Sequence, residues 1–412
     1  MMAEKVLLDR SVSRVTESLV QEMNGAESAH FSTLKTLDID IHQAQYLQTI
    51  GDGWAYPLKG FMNESELLQC LQMKTIADEV GTRHLMPCPM TQAVTAEQKA
   101  ALEGEQAIAI KCSAISDEIL AVISKPVFFA NRKEEICSRT FGTWSQNHPK
   151  AQTIIAQGDW LVSGVTRFTK RIMFNDGIDK YRMTPSEIQE KIKEKNADAV
   201  YAFQVRNPLH NGHVLLLKDT REKLLTLGYK NPILLLHPLG GWCKDDDVPL
   251  DTRMAQHQAL FDDGTINPEH AILAVWPSPM YYGGPTEVMW HGSSRVNCGI
   301  THFITGRDPA GVKHPEDSSK DLYDVWHGQK LLVNVKPMLN GVEVLPFKVA
   351  AYNKPNKRME FFFPGKSSPE DFDFISGSRM RGMAKDNVTP PDGFMSPAGW
   401  KILAAYYKSL QN

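Results

Sequence analysis

The second half of the chain alternates short apolar runs with stretches in which apolar residues recur at helical spacing. The apolar runs predict buried β-strands, and the capping residues and glycines around the other stretches predict helices. Because parallel strands joined by helices produce this alternation, the pattern predicts an α/β fold with a doubly wound sheet. The predicted strands are 199–203, 233–237, 271–276 and 301–305, and the predicted helices are 185–195, 212–227, 251–263 and 285–297.

The first 177 residues follow a different pattern. Short alternating or β-branched pieces at 37–41, 107–110 and 119–123 are separated by glycine, proline and polar clusters, which predicts a β-rich domain. Beyond residue 335 the strand–helix alternation is lost, and a final helix is predicted over 396–409. We therefore expect three domains, the last of them small and mainly helical, with the boundaries 1–177, 178–335 and 336–412.

Composition narrows the class of protein. Of the 412 residues, 42% are hydrophobic and 23% are charged, as in folded globular proteins, which excludes a disordered or fibrous chain. The net charge of −3 provides no global positive field, so we expect neither nucleic acid nor a membrane surface as a partner. No apolar run reaches the roughly 18 residues that a membrane helix requires.

The cysteines indicate the compartment. All six are far apart in sequence and none forms a C-x-x-C pair, which disfavours a disulfide framework and indicates a reducing environment. The first ten residues break their apolar run with charges too early for a secretion signal. We expect a cytoplasmic protein.

The densest chemistry follows the predicted strand 199–203. The segment Gln204-Val205-Arg206-Asn207-Pro208-Leu209-His210-Asn211-Gly212-His213 combines amide, guanidinium and imidazole side chains. Ligands of doubly wound sheets bind outside the carboxyl ends of the strands. Gly212 allows the backbone to approach a ligand at the helix N-terminus, where N–H groups and the helix dipole attract anions. The segment predicts a phosphate site, and its lack of cysteines and carboxylates disfavours zinc.

A second candidate loop, Gly306-Arg307-Asp308-Pro309-Ala310-Gly311, follows the predicted strand 301–305. Its glycines leave room for a purine or a phosphate against bare backbone, and Arg307 adds a cation. Such a sequence alone is typical of an ordinary turn. Its position after a sheet strand favours a ligand contact.

The first loop closely resembles the Q-x-R-N-P-x-H-x-x-H motif of ATP sulfurylases, and the second resembles their G-R-D-x-A-G loop. The H-x-G-H segment at 210–213 is also similar to the signature of the wider nucleotidylyltransferase superfamily. Further similar segments are 53–62, 237–241, 283–287 and 375–379. The resemblance spans most of the chain and implies a PUA-like N-terminal domain, a Rossmann-like nucleotidylyltransferase domain and a small C-terminal domain. It indicates the single-function bacterial type, without a kinase-like C-terminal domain.

This resemblance implies a reaction, its partners and its residues. The reaction is reversible, ATP + sulfate giving adenosine 5′-phosphosulfate + pyrophosphate, with Mg²⁺ on the nucleotide, and the family suggests a homodimer. Sulfate is assigned to Gln204, Arg206 and the backbone of Ala310. The nucleotide is assigned to both loops and to one weaker adenine-pocket candidate, namely Gln204, Val205, Arg206, Asn207, His210, His213, Gly306, Arg307, Asp308, Pro309 and Ala350.

The residue chemistry agrees with this reaction. Sulfate is a dianion at neutral pH and needs no general base to act as a nucleophile. The reaction does require relief of repulsion between two anions and stabilisation of charge on the α-phosphate and the departing pyrophosphate. Hydrogen-bond donors and cations meet that need, and we expect the catalytic residues to be Arg206, Asn207, His210 and His213.

Departures from the family pattern limit some assignments. Val205 stands where many relatives have threonine and Pro309 where many have histidine, so we expect only backbone contacts there. Some bacterial relatives bind zinc through a Cys/His cluster before the second loop. Only Cys298 and His302 stand there in this chain, and we expect no zinc.

Other charged residues are weaker candidates. Lys244 and Arg253 are candidate pyrophosphate ligands, although the loop around Lys244 is equally typical of a solvated turn, and its three following aspartates favour such a turn over a Mg²⁺ site. Arg379 and Arg381 are candidate triphosphate ligands or ordinary helix-surface charges.

Two alternatives stay open on sequence alone. One is another H-x-G-H nucleotidylyltransferase with a different anionic acceptor, which a panel of oxyanions would test. The other is an RNA-binding protein that uses its PUA-like domain, against which the acidic chain weighs. The physiological direction of the reaction also stays open.

Overall fold

The computed structural model describes residues 14–346, 348–374, 377–386 and 388–411. Of these, the N-terminal part forms a mixed sheet flanked by short helices. Its elements are α1 (Gly25–Phe31), β1 (Thr36–Asp38), α2 (Ile41–Gly51), α3 (Glu64–Met73), β2 (Thr75–Ala77), β3 (Arg83–Leu85), β4 (Gln92–Val94), α4 (Ala96–Leu102), β5 (Ala107–Cys112), β6 (Ser116–Ala130), α5 (Lys133–Phe141), α6 (Pro149–Ile155) and β7 (Trp160–Phe168).

The sheet order in this part is β1-β5-β6-β7-β4. β1 is parallel to β5, and the other neighbours are antiparallel. The predicted strands at 107–110 and 119–123 are confirmed inside β5 and β6, but the one predicted at 37–41 ends at Asp38. The reason is the capping box at Asp40, whose carboxylate accepts from the Gln43 N–H at 2.9 Å and starts α2.

The central part is a parallel α/β sheet, as predicted. Its elements are α7 (Pro185–Glu194), β8 (Ala199–Val205), α8 (Asn211–Thr226), β9 (Pro232–Pro238), α9 (Leu250–Asp262), β10 (Ala271–Leu273), α10 (Gly284–Val296), β11 (His302–Thr305), β12 (Lys313–His314), β13 (Asp317–Asp321), α11 (His327–Asn334) and β14 (Glu343–Pro346). The helix expected to be capped by Asp251 instead begins two residues earlier, at Leu250, with Pro249 as its N-cap.

The central strand order, β10-β9-β8-β11-β14, reverses between β8 and β11. Tyr201 of β8 lies opposite Leu234 of β9 on one side and His302 of β11 on the other. Loops that leave such neighbouring strands turn to opposite faces of the sheet and leave a crevice between them. The crevice therefore lies between the two loops that the sequence singled out.

Both faces of the central sheet are buried. Successive side chains of a strand point to opposite faces, and those of β8 enter two different hydrophobic cores. Tyr201 and Phe203 pack with Leu216 of α8 and Met254 of α9. Val200 and Ala202 face the other side, in a core that also contains residues of α10 and of the N-terminal part. The N-terminal part thus shares a hydrophobic core with the central sheet.

The C-terminal part contains more strand than expected. Its elements are β15 (Ala350–Asn353), β16 (Arg358–Phe361), β17 (Phe372–Asp373), α12 (Gly377–Lys385) and α13 (Pro397–Ser409). Helical residues still outnumber strand residues, but the prediction did not include the small sheet in which β15 pairs antiparallel with β16 and β17. β14 also joins the central sheet, so that sheet extends past residue 335. These strands are only two to four residues long, too short for periodicity to reveal them.

Candidate active site

A cavity of about 290 Å³ opens at the crevice between β8 and β11. Residues of both predicted loops line it, together with groups from α10 and the C-terminal part. The lining comprises Phe203, Gln204, Val205, Arg206, Asn207, His210, Gly212, His213, Val288, His291, Phe303, Ile304, Thr305, Gly306, Arg307, Asp308, Pro309, Val349, Ala350 and Phe374. Every predicted nucleotide-binding residue is among them.

The two histidines of the first loop are fixed by the start of α8. His210 is the N-cap, and its Nδ1 accepts from the Gly212 N–H at 3.1 Å. The Nδ1 of His213 accepts in turn from the His210 N–H at 3.3 Å, and the two ring centroids are 3.9 Å apart. Because Nδ1 accepts in both rings, a neutral imidazole carries its proton on Nε2. Each histidine therefore offers one Nε2–H donor to a ligand.

Burial keeps both imidazoles neutral. It lowers the pKa of His210 to about 4 and that of His213 well below its usual range, and nearby His210 and His257 lower the pKa of His213 further. The histidines are thus neutral donors at pH 7, and the positive charge of the site has to come from arginine.

Arg206 supplies that charge. Its Nη2 donates to the Gly311 carbonyl of the second loop at 3.3 Å, and its guanidinium carbon lies 5.1 Å from the centre of the Tyr282 ring. Its Nη1 is buried and has no hydrogen-bond partner among the residues that the structure describes, and the same holds for the Gln204 side-chain oxygen and the Thr305 hydroxyl. Unsatisfied buried polar atoms are rare in folded proteins. Their convergence here indicates a site built for a polar ligand.

Neighbouring elements hold the first loop in place. The Gln256 side chain of α9, fully buried, accepts from the Leu209 N–H at 3.0 Å and donates to its carbonyl at 2.8 Å. From the C-terminal part, Phe394 stacks on His210 with centroids 5.4 Å apart, and its carbonyl accepts from the Asn211 N–H at 2.8 Å. Sequence analysis missed these supports, since they come from remote segments.

The second loop depends on backbone conformation. Asp308 adopts a left-handed φ of 50°, and its N–H donates to the Val325 carbonyl at 2.8 Å. Its carboxylate folds over Gly311, where an added Cβ would lie 1.7 Å from Asp308 Oδ1. Burial raises the pKa of Asp308 above its usual value, while nearby Arg206 opposes the shift. Arg307 is exposed at the rim.

Ala310 is the one predicted site residue that does not line the cavity. It is completely buried, and its carbonyl accepts from the Gly284 N–H at 3.0 Å. It therefore joins the second loop to the start of α10.

Several weaker candidates lie elsewhere. Arg253 is fully buried and structural, with Nε donating to the Val248 carbonyl at 2.8 Å and Nη1 to the Leu239 carbonyl at 2.7 Å. Lys244 pairs with Asp246, and Arg379 donates to Asp373 at 2.5 Å. None of them, nor Arg381, lines the cavity. In the predicted segment 375–379, residues 375 and 376 lie outside the described residues.

No group of three potential metal ligands occurs in the described part of the chain. Cys298 packs in the core, and its thiol donates to the Arg295 carbonyl at 3.2 Å. His302 Nδ1 lies 2.7 Å from the Thr301 hydroxyl. Within the same described residues, no helix is long and apolar enough to cross a membrane.

Two polar lining residues, Thr305 and His291, were not among the predicted site residues. His291 of α10 is buried at the cavity wall, 3.3 Å from Glu287 Oε1, while Glu287 accepts from the backbone N–H groups of Tyr281 and Gly283. Burial lowers the pKa of His291, although Glu287 opposes the shift. The i, i+4 spacing of Glu287 and His291 on a predicted helix was the available signal.

The sheet order and the H-x-G-H loop define a nucleotide-binding protein of the nucleotidyltransferase class. A family model described as ATP-sulfurylase matches residues 179–406, and a PUA-like domain model matches 10–171. The chain belongs to the ATP-sulfurylase family, which confirms the resemblance found in its loops and the predicted fold class.

Curated relatives support the same assignment. The chain is 42% identical over 413 aligned residues to ATP sulfurylase 2 of Arabidopsis thaliana, covering 100% of this chain and 86% of the relative. It is 46% identical over 367 residues to ATP sulfurylase 4, chloroplastic, of the same plant, covering 89% and 77%. A bacterial sulfate adenylyltransferase, from Symbiobacterium thermophilum, is 31% identical over 371 residues, covering 90% and 88%.

A solved structure confirms the fold. The hexameric APS kinase from Thiobacillus denitrificans superposes with a TM-score of 0.70 at 16% identity. The match covers 95% of this chain and 66% of that one. At this identity the likeness concerns the fold alone.

Proposed function

We propose that the chain catalyses adenylyl transfer from ATP to sulfate in the cavity between the two loops, releasing adenosine 5′-phosphosulfate and pyrophosphate. A sulfate oxygen attacks the α-phosphorus in line with the leaving pyrophosphate, forming one P–O bond as another breaks. No proton moves, because the dianion is already nucleophilic. The family to which the chain belongs disfavours the alternative of a nucleotidylyltransferase with a different anionic acceptor.

The observation that carries this proposal is the buried Nη1 of Arg206, which has no hydrogen-bond partner among the described residues and lines the same cavity as two neutral histidines with Nε2–H donors. Arg206 and Gln204 would hold sulfate, whereas the buried Ala310 would act only by joining the second loop to α10. His210 and His213 would donate to phosphate oxygens, where charge grows as pyrophosphate departs. Asn207 and the second loop would orient the nucleotide, with its adenine towards Ala350.

We propose that ATP enters as its Mg²⁺ complex, the ion being held by the triphosphate as part of the substrate. Among the described residues that line the cavity, Asp308 supplies the carboxylate. One carboxylate is too few for a resident divalent cation, which takes six or more oxygen ligands. Chelation by EDTA should abolish turnover, and added Mg²⁺ should restore it.

The test of the function is pyrophosphate-dependent ATP formation from adenosine 5′-phosphosulfate, followed by luciferase luminescence. Wild-type protein should give a strong signal. In the forward direction, pyrophosphate release should depend on sulfate in a panel that also contains phosphate and carboxylate anions. Luminescence absent from clean wild-type protein would reject the sulfurylase activity, and release with phosphate but not sulfate would reassign the acceptor.

The remaining proposals concern organisation. We propose domains at 1–177, 178–335 and 336–412. The first boundary is supported by the PUA-like match, which ends at 171, and by the ATP-sulfurylase match, which begins at 179.

We propose a homodimer, and light scattering would test it against the hexamer named for the solved neighbour. A cytoplasmic location is supported by six cysteines that are free thiols, five of them buried.

A further inference from the structure

Tyr282, which directly precedes the segment 283–287, packs its ring against the Arg206 guanidinium. It is completely buried, and its backbone has a left-handed φ of 52°. A bulky residue rarely adopts this conformation, and one that does is held there by its surroundings, most often near a functional site. The conformation of Tyr282 therefore suggests that this residue contributes to the site, and its contacts indicate how.

Both ends of Tyr282 are anchored. Its hydroxyl donates to Asp247 Oδ2 at 2.8 Å and accepts from the Lys244 N–H at 2.8 Å. Its carbonyl accepts from His148 Nε2 at 3.1 Å and lies 3.0 Å from the Tyr323 hydroxyl. Between these anchors the ring meets Trp242 edge-on, with centroids 6.0 Å apart, and the Arg206 guanidinium lies over its face.

His148 belongs to the N-terminal part of the chain. It is buried, it caps α6 through Nδ1, which accepts from the Ala151 N–H at 3.2 Å, and it stacks on Phe141 at 4.5 Å. With Nδ1 accepting, the neutral ring must carry its proton on Nε2, which is the atom that reaches the Tyr282 carbonyl. The PUA-like part thus contacts the site through one directed hydrogen bond.

We infer that Tyr282 is a positioning residue that sets the orientation of Arg206 and that the PUA-like domain acts on the reaction by fixing Tyr282 through His148. A cation over an aromatic face is attracted to the ring, so the ring restricts the guanidinium plane. One amino group then stays on the Gly311 carbonyl, and Nη1 stays directed into the cavity. The inference rests on the proposed function, since it assigns Arg206 to sulfate.

The test is a double-mutant cycle between Tyr282 and Arg206, measured as kcat/KM for ATP formation from adenosine 5′-phosphosulfate. Tyr282→Asn removes the ring but tolerates the left-handed backbone. We expect about a tenfold loss in the Arg206 protein and about twofold at most in an Arg206→Lys background, because the ring acts through the guanidinium. Tyr282→Phe, which keeps the ring face, should stay within about threefold of wild type.

His148 is tested separately. His148→Asn retains a good N-cap for α6 but is too short to reach the Tyr282 carbonyl. It should lower kcat/KM by several-fold and lose that effect in the Arg206→Lys background. Thr95→Ala, which removes the cap of α4 in the same N-terminal part, is the matched control and should leave kinetics unchanged.

Equal losses from Tyr282→Asn in both backgrounds would overturn the inference while leaving the proposed function intact. The same holds if Tyr282→Phe is as impaired as Tyr282→Asn, since the ring would then be irrelevant. An inactive wild-type protein would instead overturn the proposed function and, with it, this role.

Discussion

The two loops at the cavity begin at the ends of neighbouring parallel strands but build the site in different ways. In the first, side chains supply the hydrogen-bond donors. Those of His210, His213 and Arg206 are oriented by hydrogen bonds to nearby backbone groups. In the second, the backbone dominates, with a left-handed Asp308 folded over Gly311 and Arg307 exposed at the rim. The comparison shows that one crevice combines a side-chain donor set with a backbone cradle.

The difference predicts that losing Arg206 is the most damaging single change. Arg206→Ala removes the buried cation that faces the anions, and one such electrostatic contact is worth about 10²–10³ in rate. We expect kcat/KM for ATP formation from adenosine 5′-phosphosulfate to fall by that factor. Arg132→Ala, which removes a surface arginine paired with Glu135, is the control. Activity above about a tenth of wild type would contradict the role of the first loop.

In the second loop, the most sensitive position should be a glycine and not a charged residue. The Cβ of Gly311→Ala would overlap the Asp308 carboxylate. The residue would then have to shift, and its own carbonyl, which accepts from Arg206, would move with it. Overpacking of this kind costs about 1–3 kcal/mol, which corresponds to a loss of roughly 5- to 150-fold. Gly382→Ala, at a helical position with open space around it, should leave kcat/KM unchanged. Equal behaviour of the two variants would show that the cradle is not needed.

Sequence reasoning succeeded where the type of residue and its place after a predicted strand indicate its chemistry. It predicted the parallel sheet, and all eleven residues that it assigned to nucleotide binding line the cavity, although their binding role stays a prediction. It failed for Ala310, Arg253 and Lys244, whose roles depend on burial and partners. It also missed His291, Phe394 and Tyr282, because remote segments bring these residues to the site and a single sequence does not encode which segments meet.

Arg307 should matter much less than Arg206, although both are arginines of the cavity. An exposed cation loses most of its attraction to screening, about 0.2–1 kcal/mol remaining, which is roughly a two- to fivefold effect on kcat/KM. Arg307→Ala should show this loss at low salt and approach wild type as ionic strength rises. Arg307→Lys keeps the charge and should retain activity. A salt-independent loss as large as that of Arg206→Ala would mean that Arg307 binds the substrate directly.

The smallest effect on activity is expected at His257 of α9, next to the Gln256 that holds the first loop. Its ring is completely buried with neither nitrogen bonded, and burial lowers its pKa to about 3. Below pH 6.5 the unfolded chain takes up a proton that the folded one refuses, so stability is lost as pH falls towards 3. At pH 5 this one group accounts for about 2 kcal/mol.

His257→Leu removes that titration but leaves the cavity lining intact. The drop in Tm between pH 7.5 and 5 should therefore be smaller in the variant than in wild type by a few degrees, with kcat/KM within about twofold. His30→Leu, at an exposed position of α1, should keep the wild-type drop. A variant with the full wild-type drop would mean that His257 is not held neutral in the folded state. The interior of α9 behind the first loop would then admit water or charge in the folded state.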